Sequence, residues 1–247
     1  MIKKVSKGHM HPLSQVITQT TDIFRALGFV VAAGPELEDS FHNFDALNIP
    51  EDHPARDMQD TFWVKPLTDK KLLRTHTSSV QVRYMKEHKD NLPLKIVVPG
   101  RVFRNEATDA THEAQFFQIE GLYIDKNVSV AHLKGVLEYF FHNYYGPQTK
   151  IRLRPSFFAF VEPGFEVDVS CFKCGGNGCA LCKKTGWIEV LGAGLVHPNV
   201  LKAVGIDANK WQGLAFGGGI DRLAMLKYGV DDIRSFYAGD LRFINQF

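Results

Sequence analysis

Six strand-like runs follow one another in the middle of the chain, at Leu94–Val98, Gln115–Ile124, Ile151–Arg154, Phe157–Glu162, Glu166–Val169 and Trp187–Leu191. Only one helical pattern, Val130–Tyr144, stands among them, with Leu133, Val136, Leu137, Phe140, Phe141 and Tyr144 on its apolar face. A regular βαβ alternation is therefore excluded. Strands in runs with helices before and after predict an α+β fold built on an antiparallel sheet. The flanking helices are expected at Pro12–Leu27, at Thr77–His88 and at Ile220–Tyr228. Pro12 suits a first helical position and Gly28 a helix exit. Further strands are expected at Phe29–Ala32 and Leu214–Gly217; Pro99-Gly100 reads as a strand stop, after which Arg101–Glu106 continues extended into an antiparallel hairpin with Gln115–Ile124. The polar, His- and Pro-rich stretch Phe41–Met58 reads as irregular. The run Gly217-Gly218-Gly219 lacks the spacing and the parallel units of a dinucleotide-binding loop.

The 247 residues suffice for one large domain, with 45% hydrophobic and 23% charged residues, so disorder is excluded as the main state. No apolar run approaches the roughly 20 residues of a membrane helix, and no apolar stretch follows the N-terminus as in a secretory signal. The charge balance, 29 Lys and Arg against 27 Asp and Glu, is too even for a chain whose work is gripping nucleic acid alone. The four cysteines form Cys171-x2-Cys174-x4-Cys179-x2-Cys182. A cytoplasmic location is expected, where thiols stay reduced and such a cluster points to metal before disulfide. Two C-x2-C knuckles make a four-cysteine Zn²⁺ site geometrically natural, with a metal-free hairpin as the alternative.

Strand period places Arg104 with Glu106 on one face, Gln118 with Glu120 on another, and Phe158 with Phe160 and Glu162 on a third. Each pair alone reads equally as the wet face of a half-exposed sheet. Together, cationic, acidic and amide groups at strand ends beside two phenylalanines describe the lining of a site for an aromatic zwitterion and a polyphosphate.

Several segments carry a resemblance. Gly100-Arg101-Val102-Phe103-Arg104-Asn105-Glu106 with Thr108–Glu113 resembles motif 2 of class II aminoacyl-tRNA synthetases, and Gly213–Leu223 resembles motif 3. The first helix with Phe29–Pro35 resembles motif 1. Arg74-Thr75-His76-Thr77-Ser78, Phe158–Pro163 and Gly192–Pro198 are similar to the α subunits of bacterial phenylalanyl-tRNA synthetases. The likeness runs from about Gly8 to Phe247. It implies a single class II catalytic domain over residues 1–247, with the Cys171–Cys182 segment as a zinc-knuckle insert. The family's N-terminal tRNA-binding helical arm is expected to be absent. One departure is Asp221, where the family has Glu before the motif 3 arginine.

The resemblance also implies a reaction and its residues. Phenylalanine and ATP would give phenylalanyl-adenylate and pyrophosphate, and the acyl group would pass to tRNA(Phe). Arg104 would contact the α-phosphate, Arg222 the γ-phosphate, Glu106 the adenine amino group, and His112 the β- and γ-phosphates. Trp63, His76, Ser78, Gln118 and Glu120 would hold the amino acid's ammonium and carboxylate, Phe158 and Phe160 its ring, and Ala215 would form the pocket floor. Mg²⁺ is implied by pyrophosphate release, with Glu162 matching a family position that binds it beside the β subunit. The β subunit is the expected partner, in an α2β2 assembly without a membrane. Taken singly, His76 and His112 read more readily as hydrogen-bonded structural residues, and Phe158 and Phe160 as core. Two other functions compete: a synthetase paralogue that activates an amino acid without charging tRNA, and a zinc-knuckle nucleic-acid-binding or scaffold protein on a decayed synthetase fold. Retention of Arg104, Glu106 and Arg222 argues against decay.

Overall fold

The computed structural model describes residues 8–247. In chain order the elements are α1 (Pro12–Ala26), β1 (Val30–Val31), β2 (Leu37–Asp39), α2 (Ser40–Asn43), β3 (Lys71–Leu73), α3 (Ser78–His88), β4 (Leu94–Phe103) and β5 (Gln115–Asp125). They continue with α4 (Val130–Tyr145), β6 (Ile151–Phe158), β7 (Val161–Ser170), β8 (Trp187–Val196), α5 (Pro198–Ala203), β9 (Gln212–Gly219), α6 (Ile220–Tyr228) and α7 (Leu241–Ile244). Seven strands form one sheet in the order β1-β4-β5-β9-β8-β7-β6, antiparallel throughout except for the short β1 against β4. β2 and β3 pair separately. The expected α+β architecture is what the chain adopts.

One face of the sheet is covered by α1, α4 and α6. Their apolar stripes meet at Phe24, whose ring stacks on Phe140 at 4.7 Å and on Phe216 at 4.9 Å. Truncating a ring buried this deeply costs about 3–5 kcal/mol. α1 starts where His11 Nδ1 accepts the Leu13 N–H, with Pro12 filling a position whose N–H has no helical partner. The opposite face is only partly covered, by α3, α5 and the turn at Asp45–Leu47. That uneven cover leaves a concavity on the sheet.

Two strand expectations are corrected. Pro99-Gly100 does not stop the strand, because β4 runs unbroken from Leu94 to Phe103. Val97 turns its carbonyl towards β1 and accepts from Ala32 N, and Pro99 two residues on faces the same side. β1 reaches only Val97, so the missing N–H of Pro99 lies on a free edge and no ladder bond is lost. Phe157–Glu162 is not one strand. β6 ends at Phe158, Ala159 and Phe160 make a tight turn, and β7 begins at Val161. The alternation Phe-Ala-Phe-Val mimics a strand, yet the residues form a hairpin tip. The irregular stretch after Phe41 holds the end of α2 and two single 3-10 turns, at Asp45–Leu47 and Pro54–Arg56.

Candidate active site

The concavity is a cavity of about 270 Å³, at the small end of the roughly 300–1,000 Å³ usual for ligand sites. Its floor is the β5–β9–β8 face, from which Gln118, Glu120, Leu122, Ala215 and Gly217 project. Phe158 and Phe160 close one side with ring centroids 6.0 Å apart, so the hairpin tip delivers both rings although they do not share a strand face. His76, Ser78 and Gln81 enter from the start of α3, and Arg104 stands at the mouth, just past the end of β4.

Glu120 is buried and accepts three hydrogen bonds: from Thr77 N at 3.0 Å, Ser78 Oγ at 2.5 Å and Gln81 Nε2 at 2.9 Å. Donors in the first turn of α3 hold its charge in place, where the helix N-terminus also favours an anion. No cation pairs with it among the described residues, and burial raises its pKa. A buried carboxylate with hydrogen bonds but no counter-ion presents negative potential to the cavity, the setting that an ammonium group would complete. Gly217 faces it across the β5–β9 pair, and a Cβ there would stand 2.5 Å from the Glu120 Cγ.

His76 has both ring nitrogens buried without a partner, as has the side-chain oxygen of Gln118. Burial, with the Arg104 charge next, pushes the His76 pKa down to about 3, so its imidazole is neutral near pH 7. A neutral ring offers one donor and one acceptor. Arg104 lies over the Phe116 ring at 5.1 Å, donates from Nε to Thr75 O at 3.3 Å and stands 3.8 Å from Glu106. Burial lowers its pKa against the pull of Glu106 and Glu120, and it remains a cation.

The other anticipated residues lie outside this cavity. Trp63 sits half-buried against Phe44, its Nε1 donating to Arg56 O at 3.0 Å. His112 is exposed in the loop between β4 and β5, held 3.0 Å from Asp109. Arg222 is exposed in the first turn of α6, beside Gly219 at the end of β9. Asp221 turns inward instead. Its carboxylate accepts from Phe117 N at 2.7 Å, just where β5 outruns β9, and from the Tyr237 hydroxyl. Burial pushes its pKa up to about 6. It therefore pins α6 to the sheet and so fixes the direction in which Arg222 leaves it.

Glu162, on the cis bond before Pro163, is 74% exposed and lies 3.2 Å from His197 Nε2. A single carboxylate falls well short of the roughly six oxygens a Mg²⁺ ion requires, so the residues of this chain build no complete site there. The cysteines do converge. The four Sγ atoms lie within 4.8 Å of one another, with Cys171–Cys179 at 3.7 Å and Cys174–Cys182 and Cys179–Cys182 at 3.8 Å. A tetrahedron of sulfurs about 2.3 Å from zinc has edges of about 3.8 Å. Gly178 N and Cys179 N donate to Cys174 and Cys182 sulfurs at 3.2 and 3.1 Å, the contacts that stabilise thiolates.

Sequence reading missed Gln81, which completes the Glu120 cradle, and Asn43, whose side chain brackets Thr75 through its Oγ1 and its N–H. Gln81 comes from a helix whose polar face looks solvated in sequence, and Asn43 from the stretch that reads as irregular.

The family model for the tRNA synthetase class II core domain matches residues 1–247. The chain belongs to this class II synthetase family. The phenylalanine–tRNA ligase α subunit of Bacillus subtilis is 56% identical over 243 residues, covering 98% of this chain and 70% of that protein. The protein of the same name from Bacillus mycoides is 56% identical over 245 residues, with 99% and 70% covered. The crystal structure of pyrrolysyl-tRNA synthetase from Desulfitobacterium hafniense shares the fold at a TM-score of 0.70 and 18% identity, over 94% of this chain and 75% of that one. Within the class II core, the motif 2 and motif 3 segments correspond here to β4–β5 and to β9–α6.

Proposed function

We propose that the chain is the catalytic subunit of a phenylalanine–tRNA ligase, forming phenylalanyl-adenylate from phenylalanine and ATP and passing the acyl group to tRNA(Phe). The observation that carries this reading is the polarity of one cavity: two phenylalanine rings and Ala215 on one side, an unpaired buried carboxylate on another, and an arginine at the mouth. The α-subunit name of the Bacillus relatives supports it.

The substrate ring lies between Phe158 and Phe160 over Ala215, where edge-on and offset contacts each add about 0.5–1.5 kcal/mol beyond burial. Glu120 receives the ammonium. Gln118 and neutral His76 hold the carboxylate side and turn one carboxylate oxygen towards Arg104. That oxygen attacks the α-phosphorus of ATP, the bond to the bridging oxygen breaks, and pyrophosphate departs. Little covalent work falls to the protein, so positioning and charge neutralisation dominate. Arg104 offers a planar fork to the α-phosphate as negative charge develops. Glu106 meets the adenine, and His112 and Arg222 face the outer phosphates. Mg²⁺ brought with ATP would supply neutralisation of the leaving pyrophosphate, and Glu162 would offer it at most a single carboxylate at a boundary shared with a β subunit. Zn²⁺ held by Cys171, Cys174, Cys179 and Cys182 is structural, since the knuckle reaches no part of the cavity lining. The partners are tRNA(Phe) and a β subunit, in a cytoplasmic α2β2 assembly. No helix of the described residues is long and apolar enough to cross a membrane.

Phenylalanine-dependent exchange of pyrophosphate into ATP tests the proposal. Exchange with phenylalanine and none with alanine or serine is the expected outcome. Exchange that ignores which amino acid is supplied would reject the assignment.

A further inference from the structure

We infer that Arg74 is a positioning residue for the adenylation step, a buried clasp that sets Arg104; the inference rests on the proposed function. Beyond Val97 the outer edge of β4 has no neighbouring strand, because β1 is two residues long. Residues 97, 99, 101 and 103 face that edge. Pro99 brings no donor there, but the Arg101 carbonyl and the Phe103 N–H need partners. Arg74 supplies both. Its Nε donates to Arg101 O at 2.7 Å, and its own carbonyl accepts from Phe103 N at 2.9 Å. The same side chain donates through Nη1 to Gly34 O at 3.1 Å and Pro35 O at 3.3 Å, and its backbone N–H donates to Glu36 O at 2.9 Å. One residue therefore stands in for a strand along the last part of β4 and ties three chain segments together.

Arg74 is 4% exposed, and among the described residues no carboxylate lies within ion-pair distance of it, although the charges of Glu36, Glu38 and Glu120 act on it from further off. A buried cation is costly unless its hydrogen bonds are well made, and here backbone carbonyls make them. The sheet has been shaped around it. A Cβ at Gly100 would stand 2.4 Å from Arg74 Nη2, so β4 carries glycine where the fork passes. The connection to the chemistry is one residue long in each direction. Arg104 follows Phe103, whose N–H Arg74 holds, and Arg104 Nε donates to the carbonyl of Thr75, which follows Arg74. The backbone that carries Arg104 and the carbonyl that aims it are both fixed by Arg74. The backbones that carry Glu120 and the two rings stand instead on β5 and on the β6–β7 hairpin, held by ladder bonds of their own, and the Glu120 side chain is held from the start of α3.

The test is phenylalanine-dependent pyrophosphate exchange with Arg74→Lys and Gly100→Ala beside the wild type. Lysine keeps the charge but cannot reach three carbonyls as a planar fork does. Gly100→Ala keeps every native group and pushes chiefly on the guanidinium, with a lighter contact to Thr77 Cγ2 at 3.2 Å. Arg74→Lys should slow turnover about 30-fold or more and Gly100→Ala about tenfold, with KM for phenylalanine within threefold of wild type and Tm within a few degrees. The double variant should be no slower than Arg74→Lys within threefold, because both changes act on one contact. A wild type without exchange would refute the proposed function and not the clasp. With an active wild type, wild-type turnover in Gly100→Ala, a proportional loss in KM for phenylalanine, or unfolding of both variants would overturn the inference.

Discussion

The two ends of the proposed site are built differently. The amino-acid end is a sheet face: Gln118, Glu120 and Ala215 sit on β5 and β9, in the middle of a continuous ladder, and Glu120 is held by three donors. The nucleotide end is an edge: Glu106 and His112 stand on or beside an exposed loop, and Arg222 leaves the first turn of a helix into solvent. Rigid, buried groups suit discrimination between similar side chains, which size alone achieves by only about 1–3 kcal/mol per group. Exposed, long-armed cations suit a polyphosphate whose own charge gathers them. On the proposed function, the difference teaches that selectivity is borne by the buried cavity and phosphate handling by exposed groups outside it, with Arg104 at the junction.

Changes at the junction should be the most damaging. Arg104→Ala removes the cation at the reacting phosphorus, and turnover in the exchange assay should fall about 10³-fold or more, as expected for losing a charge-stabilising donor. An Arg104→Ala enzyme within tenfold of wild type would separate the two ends altogether. At the amino-acid end, Glu120→Gln keeps the shape and loses the charge. KM for phenylalanine should rise about 100-fold while KM for ATP stays within a few-fold, measured in the same assay. Zinc lies outside the comparison and serves as its control. Removing about one Zn²⁺ per chain from the reduced protein should lower Tm and leave KM for phenylalanine unchanged in the protein that remains folded, with metal content read by elemental analysis.

The smallest expected effect is the sharpest. Ala215→Gly should admit para-chlorophenylalanine, by about tenfold in kcat/KM, and help tyrosine less, whose hydroxyl meets no partner there. Equal losses for phenylalanine, para-chlorophenylalanine and tyrosine would make Ala215 a packing residue only. pH separates the ends as well. His76 binds its proton far more weakly folded, near pH 3, than unfolded, near 6.5. Its contribution is therefore a loss of stability that sets in as pH falls below about 6.5 and grows until about 3. His76→Gln should flatten that part of the stability curve, followed by denaturant titration.

The four longest helices, α1, α3, α4 and α6, were legible in the sequence because their apolar stripes are long and their ends are marked, as at Pro12 and Gly28, whereas the short α2, α5 and α7 carry no such stripe. The strands of the large sheet were legible as runs, but not their ends, and the short β2 and β3 were not legible at all. Pro99-Gly100 reads as a stop by composition, and only the two-residue reach of β1 makes the proline harmless. Phe158-Ala159-Phe160-Val161 reads as strand alternation, and the hairpin depends on pairing that no local pattern reveals. The site followed the same rule. Gln118, Glu120 and Ala215 line the cavity from the sheet face, whereas Gln81 and Asn43 come from segments whose polar residues look solvated until the fold buries them, and Arg74 stands in a motif-like segment that gave it no role. Gly100 was the available signal for Arg74, a glycine inside a strand marking a close approach.

The central claim is that Glu120 reads an ammonium while the two phenylalanine rings read a benzene ring. Calorimetric titration with L-phenylalanine and with 3-phenylpropionate, which lacks only the ammonium, tests it without catalysis. Phenylalanine should bind at least 100-fold more tightly, and Glu120→Gln should erase most of that difference. Equal affinity for the two ligands in the wild-type protein would contradict the account.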